Sequence, residues 1–273
     1  MTIATADLDY LRAMVADRSG NVISATQGYL FEQKLTPLLQ ETGLASLDDL
    51  MRAVRSKQKP MLCDQIVEAM TINETSFFRD MHPFDSLRDT LAPDIIEKRE
   101  KAKSISILCG ACSSGQEPYS VAITLREHFP QLADWRIQIT ATDICDKMLA
   151  RTKEGRYSQF EVNRGLPARL LVKHFDRQGT EWCVKPALKQ MIHCQKINLT
   201  KSWPRLPEFD IVFLRNVLIY FDRNAKEEIL KRVFGVLRSD GYLLLGGGET
   251  LINLSTPFVQ YPINKTVCYR PKT

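Results

Sequence analysis

Apolar positions over residues 1–70 recur at helical spacing, and nowhere do they alternate as a strand would. Leu8, Leu11 and Val15 share one face, and Gly20 follows as a stop. Leu30, Leu35, Leu38 and Leu39 mark a second helical element that Pro37 interrupts or starts and Gly43 ends. Ser46 with Asp49 reads as an N-cap pair for Leu47–Val54, and Pro60 suits the first turn of a helix holding Ile66 and Met70. Residues 1–70 are therefore expected to form a small helical domain. The charged run Glu97-Lys-Arg-Glu-Lys-Ala-Lys reads as a helix end or linker within a connecting segment, 71–103.

From Ser104 the pattern changes. Ile105–Cys109, Ile137–Thr142, Phe209–Leu214 and Tyr242–Leu245 are short apolar runs of strand length. Helical segments separate them: Pro118–Phe129, Asp146–Glu154 and Asn224–Leu237. This alternation predicts an α/β domain over 104–273, built on a parallel sheet and Rossmann-like in its first turn. Residues of about 156–196 break the alternation with a helix and then a hairpin around Trp182, and are expected to be a small inserted β-subdomain. Phe258–Gln260 and Thr266–Arg270 read as a closing antiparallel hairpin.

A length of 273 residues, 44% hydrophobic and 25% charged, supports one large domain plus a small one and excludes wholesale disorder. No apolar run approaches a membrane span, and the first residues lack a basic, apolar leader, so a cytoplasmic protein is expected. The cysteines (Cys63, Cys109, Cys112, Cys145, Cys183, Cys194 and Cys268) are odd in number and scattered, which fits free thiols. Cys109-Gly-Ala-Cys112 has CxxC spacing, but no second ligand pair completes a zinc site, so packed thiols are expected over redox or metal use. The net charge is +5, and Arg151–Arg205 carries twelve Lys/Arg against four Asp/Glu, a local +8. That stretch is either a solvated face or a docking surface for an acidic partner.

Open α/β sheets bind ligands beyond the carboxyl ends of their strands. The first such loop, Cys109-Gly-Ala-Cys-Ser-Ser-Gly-Gln-Glu-Pro-Tyr-Ser120, turns on Gly110 and Gly115, and Pro118 starts a helix. It lacks the GxGxxG of dinucleotide sites and the Gly-Lys-Ser/Thr of a P-loop. Glu117 beside a phosphate would be repulsive, so a cationic sulfonium ligand fits better than ATP or NAD. Asp143 ends the next strand, where a carboxylate takes both hydroxyls of a ribose or merely caps the following helix. Asn73-Glu-Thr-Ser-Phe-Phe-Arg-Asp80 offers helix caps in Asn73 or Thr75 and a surface pair between Arg79 and Asp80 or Asp85. Arg215-Asn-Val-Leu-Ile-Tyr-Phe-Asp222 puts an Arg and an Asn straight after an apolar strand, where neither suits a core; Tyr220 alone reads as a packed aromatic.

Together, and in this order, Asn73–Asp80, Gly115–Ser120, Ala141–Asp143 and Arg215–Asp222 resemble the CheR family of chemotaxis receptor methyltransferases, and the match runs from the N-terminal helices to Gly246-Gly-Gly-Glu249. The resemblance implies a class I methyltransferase domain with a β-subdomain insertion behind an all-helical N-terminal domain. It implies S-adenosyl-L-methionine as cofactor, S-adenosyl-L-homocysteine as product, and methyl-ester formation on glutamates of the acidic helical bundle of chemoreceptors. Carried over by motif, the cofactor-binding residues are Asn73, Thr75, Arg79, Glu117, Asp143, Asn198, Leu199, Arg215 and Asn216. Tyr220 and Arg215 are the expected catalytic pair, with no metal. Gln116, where many members carry a second acid, and the cysteine-rich start of the turn depart from the family pattern.

The expected partners are receptor helices and a possible regulatory protein, with no nucleic acid or membrane insertion and a monomeric state. Arg52, Arg55, Lys57 and Lys59 are basic residues that could face the receptor. The short turn Asp176-Arg-Gln-Gly-Thr180 argues against a tethering peptide held by the insertion. Two rival readings are a nucleic-acid methyltransferase and a non-catalytic S-adenosylmethionine sensor. The first wants an Asn/Asp-Pro-Pro-aromatic motif where Arg215-Asn-Val-Leu stands, and the chain has no Pro-Pro pair.

Overall fold

The computed structural model describes residues 3–56, 60–263 and 265–272. The chain divides into two compact units, Met1–Ile72 with Tyr220–Ala225, and Asn73–Ile219 with Lys226–Thr273. In the first unit α1 (Thr5–Ser19), α2 (Tyr29–Thr42), α3 (Leu47–Arg55) and α4 (Pro60–Met70) bury Leu11, Val15, Phe31, Leu35, Leu50 and Ile66 against one another. Gly20 and Gly43 end α1 and α2 in the left-handed conformation, and Ser46 caps α3 by accepting from the Asp49 amide. The second helix continues through Pro37, giving up one ladder bond.

The second unit begins with α5 (His82–Ser86), a π-turn over Leu87–Leu91 and α6 (Ala92–Arg99). Then come β1 (Ser104–Gly110), α7 (Gln116–His128), β2 (Arg136–Asp143) and α8 (Asp146–Glu154). Helix α7 starts two residues before Pro118, because the left-handed Gly115 already turns the chain into it. The inserted part comprises β3 (Arg156–Ser158), α9 (Gln159–Asn163), α10 (Ala168–His174), β4 (Phe175–Gln178), β5 (Glu181–Val184) and α11 (Pro186–Lys189). It is followed by β6 (Ile192–Lys196), β7 (Phe209–Leu214), α12 (Arg223–Val236), β8 (Leu237–Leu245), β9 (Phe258–Gln260) and β10 (Cys268–Pro271).

The large sheet has the order β6-β2-β1-β7-β8-β10-β9, and β3-β5-β4 form a separate small sheet. Strands β6, β2, β1, β7 and β8 run parallel; β10 is antiparallel to β8, and β9 to β10. The strand order reverses between β1 and β7, which makes their carboxyl ends the switch point where this architecture holds a ligand. The insertion therefore ends before Ile192 rather than near 196: Ile192–Lys196 is an edge strand of the large sheet, paired with β2 from Ile139 to Asp143. Its Ile-His-Cys-Gln-Lys sequence is half-buried, so it lacks the continuous apolar signal of β7.

The single charge inside β7, Asp210, is satisfied at the end of the strand opposite the switch point. It accepts from the Ser106 amide at 2.8 Å and from Arg99 Nε at 2.7 Å. The basic surplus of 151–205 is partly offset in space. Arg151 pairs with Glu161, Arg156 with Glu181, Arg164 with Glu74, Lys173 with Glu127, Lys185 with Asp176 and Lys196 with Asp146. Glu74, Glu127 and Asp146 lie outside that stretch of sequence, which is why a count along the chain overstates the local charge.

The insertion packs on Phe77, whose ring meets Tyr157 and Phe175 edge-on at 5.0 and 5.6 Å. Gly165 sits on the same segment with φ +88°, and a Cβ there would lie 2.0 Å from the Phe77 carbonyl oxygen. Gly165→Ala therefore combines left-handed strain with a backbone clash. It is expected to cost at least about 2 kcal/mol of stability, measured by urea unfolding against the wild-type chain.

Candidate functional site

Segments far apart in sequence meet at the carboxyl ends of β1, β2 and β7. The β1 turn comes first. Ala111 and Ser113 have positive φ (55° and 51°), and Gly115 follows at 93°. A Cβ on Gly115 would sit 2.8 Å from Thr152 and 3.0 Å from the Tyr157 hydroxyl, so only glycine fits that position. The turn's carbonyls are held from behind: Tyr157 donates to the Ser114 carbonyl at 2.7 Å and Thr152 to the Ser113 carbonyl at 3.0 Å. Helix α8 and the insertion thereby brace the turn.

Asp143 binds the turn from the end of β2. One carboxylate oxygen accepts from the Ser113 amide at 2.8 Å and the other from the Cys145 amide at 3.0 Å. It thus supports both the turn and the entry to α8. Cys109 and Cys112 are buried among apolar groups, and burial raises both thiols well above their ordinary value. They are packed, inert thiols. Among the described residues no cluster of His, Cys, Asp and Glu could hold a metal.

Asn73–Asp80 is bound to this turn at several points. The Asn73 carbonyl accepts from Ser113 Oγ at 2.7 Å, and the Phe78 amide donates to Ser120 Oγ at 2.9 Å. Phe78, Asp80 and Met81 all carry positive φ, which is uncommon for residues with a Cβ and costly for the bulky ones. Arg79 donates to the Glu74 carbonyl at 3.1 Å rather than pairing with Asp80 or Asp85. Thr75 lies between them, half-buried.

Arg215, the first residue after β7, ties the pieces together. Its side chain is 1% exposed. Nη1 donates to Glu117 at 2.8 Å; Nη2 donates to Asp80 at 2.8 Å and to the Arg79 carbonyl at 2.9 Å. The guanidinium also lies 5.7 Å from the centre of the Phe84 ring. Its Nε is buried with no partner among the described residues. Glu117 is pushed above the usual carboxylate value by burial, an effect that Arg215 partly opposes. Asp80, which the sequence offered only as a surface partner of Arg79, is a member of this ion-pair group.

Asn216 follows with φ +56°, and Tyr220 closes a single 3-10 turn over Leu218–Tyr220, its carbonyl accepting from the Val22 amide at 3.2 Å. Asn198 and Leu199 follow β6, the strand whose pattern the sequence concealed. Asn198 Oδ1 accepts from the amide and the hydroxyl of Thr200, at 3.0 and 2.8 Å. A Cβ on Gly110 would lie 4.0 Å from Leu199 Cδ2, which places Leu199 beside the β1 turn.

Two family models match the chain. One, described as the SAM binding domain of CheR methyltransferases, matches residues 73–267, and the other, their all-alpha domain, matches residues 6–71. Chemotaxis protein methyltransferase 1 of Pseudomonas aeruginosa is 37% identical over 277 residues, covering 100% of each chain. Chemotaxis protein methyltransferase Cher2 of Pseudomonas putida is 34% identical over 277 residues, again covering 100% of each. The chemotaxis protein methyltransferase of Vibrio parahaemolyticus is 36% identical over 276 residues, covering 100% of this chain and 99% of its own.

Removing the cation at the centre of the site would strand a buried carboxylate. Arg215→Met is expected to lower unfolding free energy by about 3 kcal/mol, read by chemical denaturation. Glu117→Gln in the same background is expected to restore part of that loss.

Proposed function

The chain belongs to the CheR methyltransferase family, and from that premise we propose that it transfers the methyl group of S-adenosyl-L-methionine to glutamate carboxylates of chemoreceptors. The observation that carries this reading is the meeting of Asn73–Asp80, the β1 turn and the start of the Arg215–Tyr220 segment around one buried guanidinium. The donor set suits the cofactor. The turn from Cys109 to Ser120 contains an acid and no Lys or Arg, and Arg215 Nε is a buried donor still open to an anionic group such as the cofactor's carboxylate.

Asn73, Thr75, Arg79, Glu117, Asp143, Asn198, Leu199, Arg215 and Asn216 hold the cofactor in this proposal, with Tyr220 beside the transferred methyl. When bound, the cofactor supplies an activated methyl group on a sulfonium that departs without acid assistance. A receptor glutamate is already ionised at neutral pH. The chain therefore needs no general base, and its task is to hold the acceptor oxygen in line at near-attack range. Arg215, saturated on one side by two acids, acts by orienting the site.

The receptor substrates imply work in the cytoplasm. No helix among the described residues is long and apolar enough to cross a membrane. On α3, Arg55 is engaged by Asp7 at 2.7 Å and lies over the Tyr10 ring, whereas Arg52 is 78% exposed beside Asp49 and is the freer of the two to meet an acidic receptor. Lys57 and Lys59 lie outside the described residues. Charge reversal at Arg52 and Arg55 is expected to reduce receptor methylation without changing cofactor affinity; unchanged methylation would remove this surface from the proposal.

The direct test is transfer of labelled methyl from the cofactor to receptor-bearing membranes. Methyl esters release the label in base, so a base-stable product points to a different acceptor, and no transfer leaves a cofactor sensor. Cofactor binding should also depend on pH. Because the folded carboxyl of Glu117 titrates above the usual 4.5, it takes a proton as pH falls from 7 towards that raised value. Binding of the cationic cofactor is then expected to weaken, and Glu117→Gln to flatten the profile, by calorimetry across the pH series.

A further inference from the structure

The run Gly246-Gly-Gly-Glu249 matches the family pattern but has so far carried no role. Glu249 is buried just beyond the end of β8. Its carboxylate is spent on the turn that leaves β7. Oε2 accepts from the Asn216 amide at 2.8 Å and from the Gly246 amide at 2.7 Å. Oε1 accepts from the amides of Val217 at 2.9 Å, Leu218 at 2.7 Å and Ile219 at 3.3 Å. Four successive backbone N–H groups thus converge on one carboxylate. This is a backbone anion nest, here filled by the protein's own side chain.

The turn needs such a partner. It leaves a parallel strand with no ladder to continue, and Asn216 holds a left-handed conformation that nothing in the strand imposes. Without an acceptor the buried Leu218 amide would be an orphan donor, and the part-buried amides of Asn216 and Val217 would lose their partner as well. Close backbone approach completes the device: a Cβ on Gly246 would lie 2.7 Å from Asn216 Nδ2 and 2.9 Å from Glu249 Oε2. The same turn begins at Arg215, whose far end is fixed by Glu117 and Asp80, and runs into Tyr220. Charged groups therefore pin both the head group of Arg215 and the backbone that follows it.

We propose that Glu249 is a positioning residue for the cofactor site, its carboxylate filling the Asn216–Ile219 nest so that Arg215 and Asn216 are set before the cofactor arrives. This rests on the cofactor assignment above. Glu249→Gln keeps the shape but turns an amide NH2 towards backbone donors. S-adenosylhomocysteine binding by calorimetry should then weaken at least about tenfold. The comparison is Asp210→Asn, which also replaces a buried carboxylate bound to a backbone amide, but at the opposite end of β7. It should lower the melting temperature while leaving affinity within about twofold of wild type.

Wild-type binding with a Glu249→Gln affinity within about twofold of it would overturn the positioning role alone. Failure of the wild-type chain to bind would overturn the cofactor assignment and this role with it. Amide exchange on the cofactor-free wild-type chain decides the matter if the variant does not fold. Slow exchange at Asn216–Ile219 before ligand is added is expected, and fast exchange there that slows only with S-adenosylhomocysteine would overturn the proposal.

Discussion

A guanidinium with 1% of its side chain exposed has lost its hydration, and Arg215 recovers the lost hydrogen bonds from Glu117, Asp80 and the Arg79 carbonyl. Burying the Arg215 and Glu117 charges together, with Asp80 half-exposed at their edge, brings little net stability, because the Coulombic gain is offset by the cost of removing each buried ion from water. Incomplete assembly costs far more. If Asn73–Asp80 drifts away, Asp80 and the Arg79 carbonyl leave the guanidinium half-satisfied; if α7 shifts, Glu117 is left buried with its charge. The ion-pair group makes one arrangement of three chain segments much better than its neighbours, which is a statement about specificity more than about stability.

That requirement explains where backbone strain accumulates. Of the eight non-glycine residues with positive φ among those described, Phe78, Asp80, Met81, Ala111, Ser113 and Asn216 lie in or next to the segments that meet at the switch point, and Lys103 and Asn253 lie elsewhere. Elements of regular structure deliver β1, β2 and β7 to this place, but the last few ångströms are covered by turns that need partners for amides no ladder can satisfy. Asp143 serves the first turn and Glu249 the last. In each case a carboxylate accepts from backbone N–H groups on a neighbouring loop, so these two acids organise backbone.

How much of this is legible along the chain follows from how local each signal is. Gly20, Gly43, Ser46 and the apolar faces of α1 and α3 act within one or two turns of helix, and the helical unit is read from them directly. The fully buried β7 is equally plain. Strand β6 is not, because an edge strand is buried on fewer sides and its Ile-His-Cys-Gln-Lys pattern states no clear period. Asp143 reads from the sequence as a ligand or a cap, yet its reach back to Ser113 depends on the parallel register of β1 and β2. Asp80 and Glu249 stand in runs that match the family, but their structural roles carry no local mark. Their partners are 135 and about 30 residues away, and only tertiary contact reveals them. Charge misleads for the same reason: Glu74, Glu127 and Asp146 offset part of a stretch that looks more basic when counted in sequence.

The chemistry proposed for this site makes such an investment in positioning intelligible. A carboxylate acceptor and a sulfonium donor need neither an acid nor a base, so no side chain has to be held at a tuned protonation state for proton transfer. What limits the rate is the rarity of in-line approach, and that is removed by fixing the groups around the reacting atoms. Two acids against one Arg leave the ion-pair group with a net charge of −1. A modest negative surplus in a partly buried site favours a cation over the neutral sulfide that remains after transfer. The same charges that force the segments together would therefore loosen the product relative to the cofactor, without any moving part.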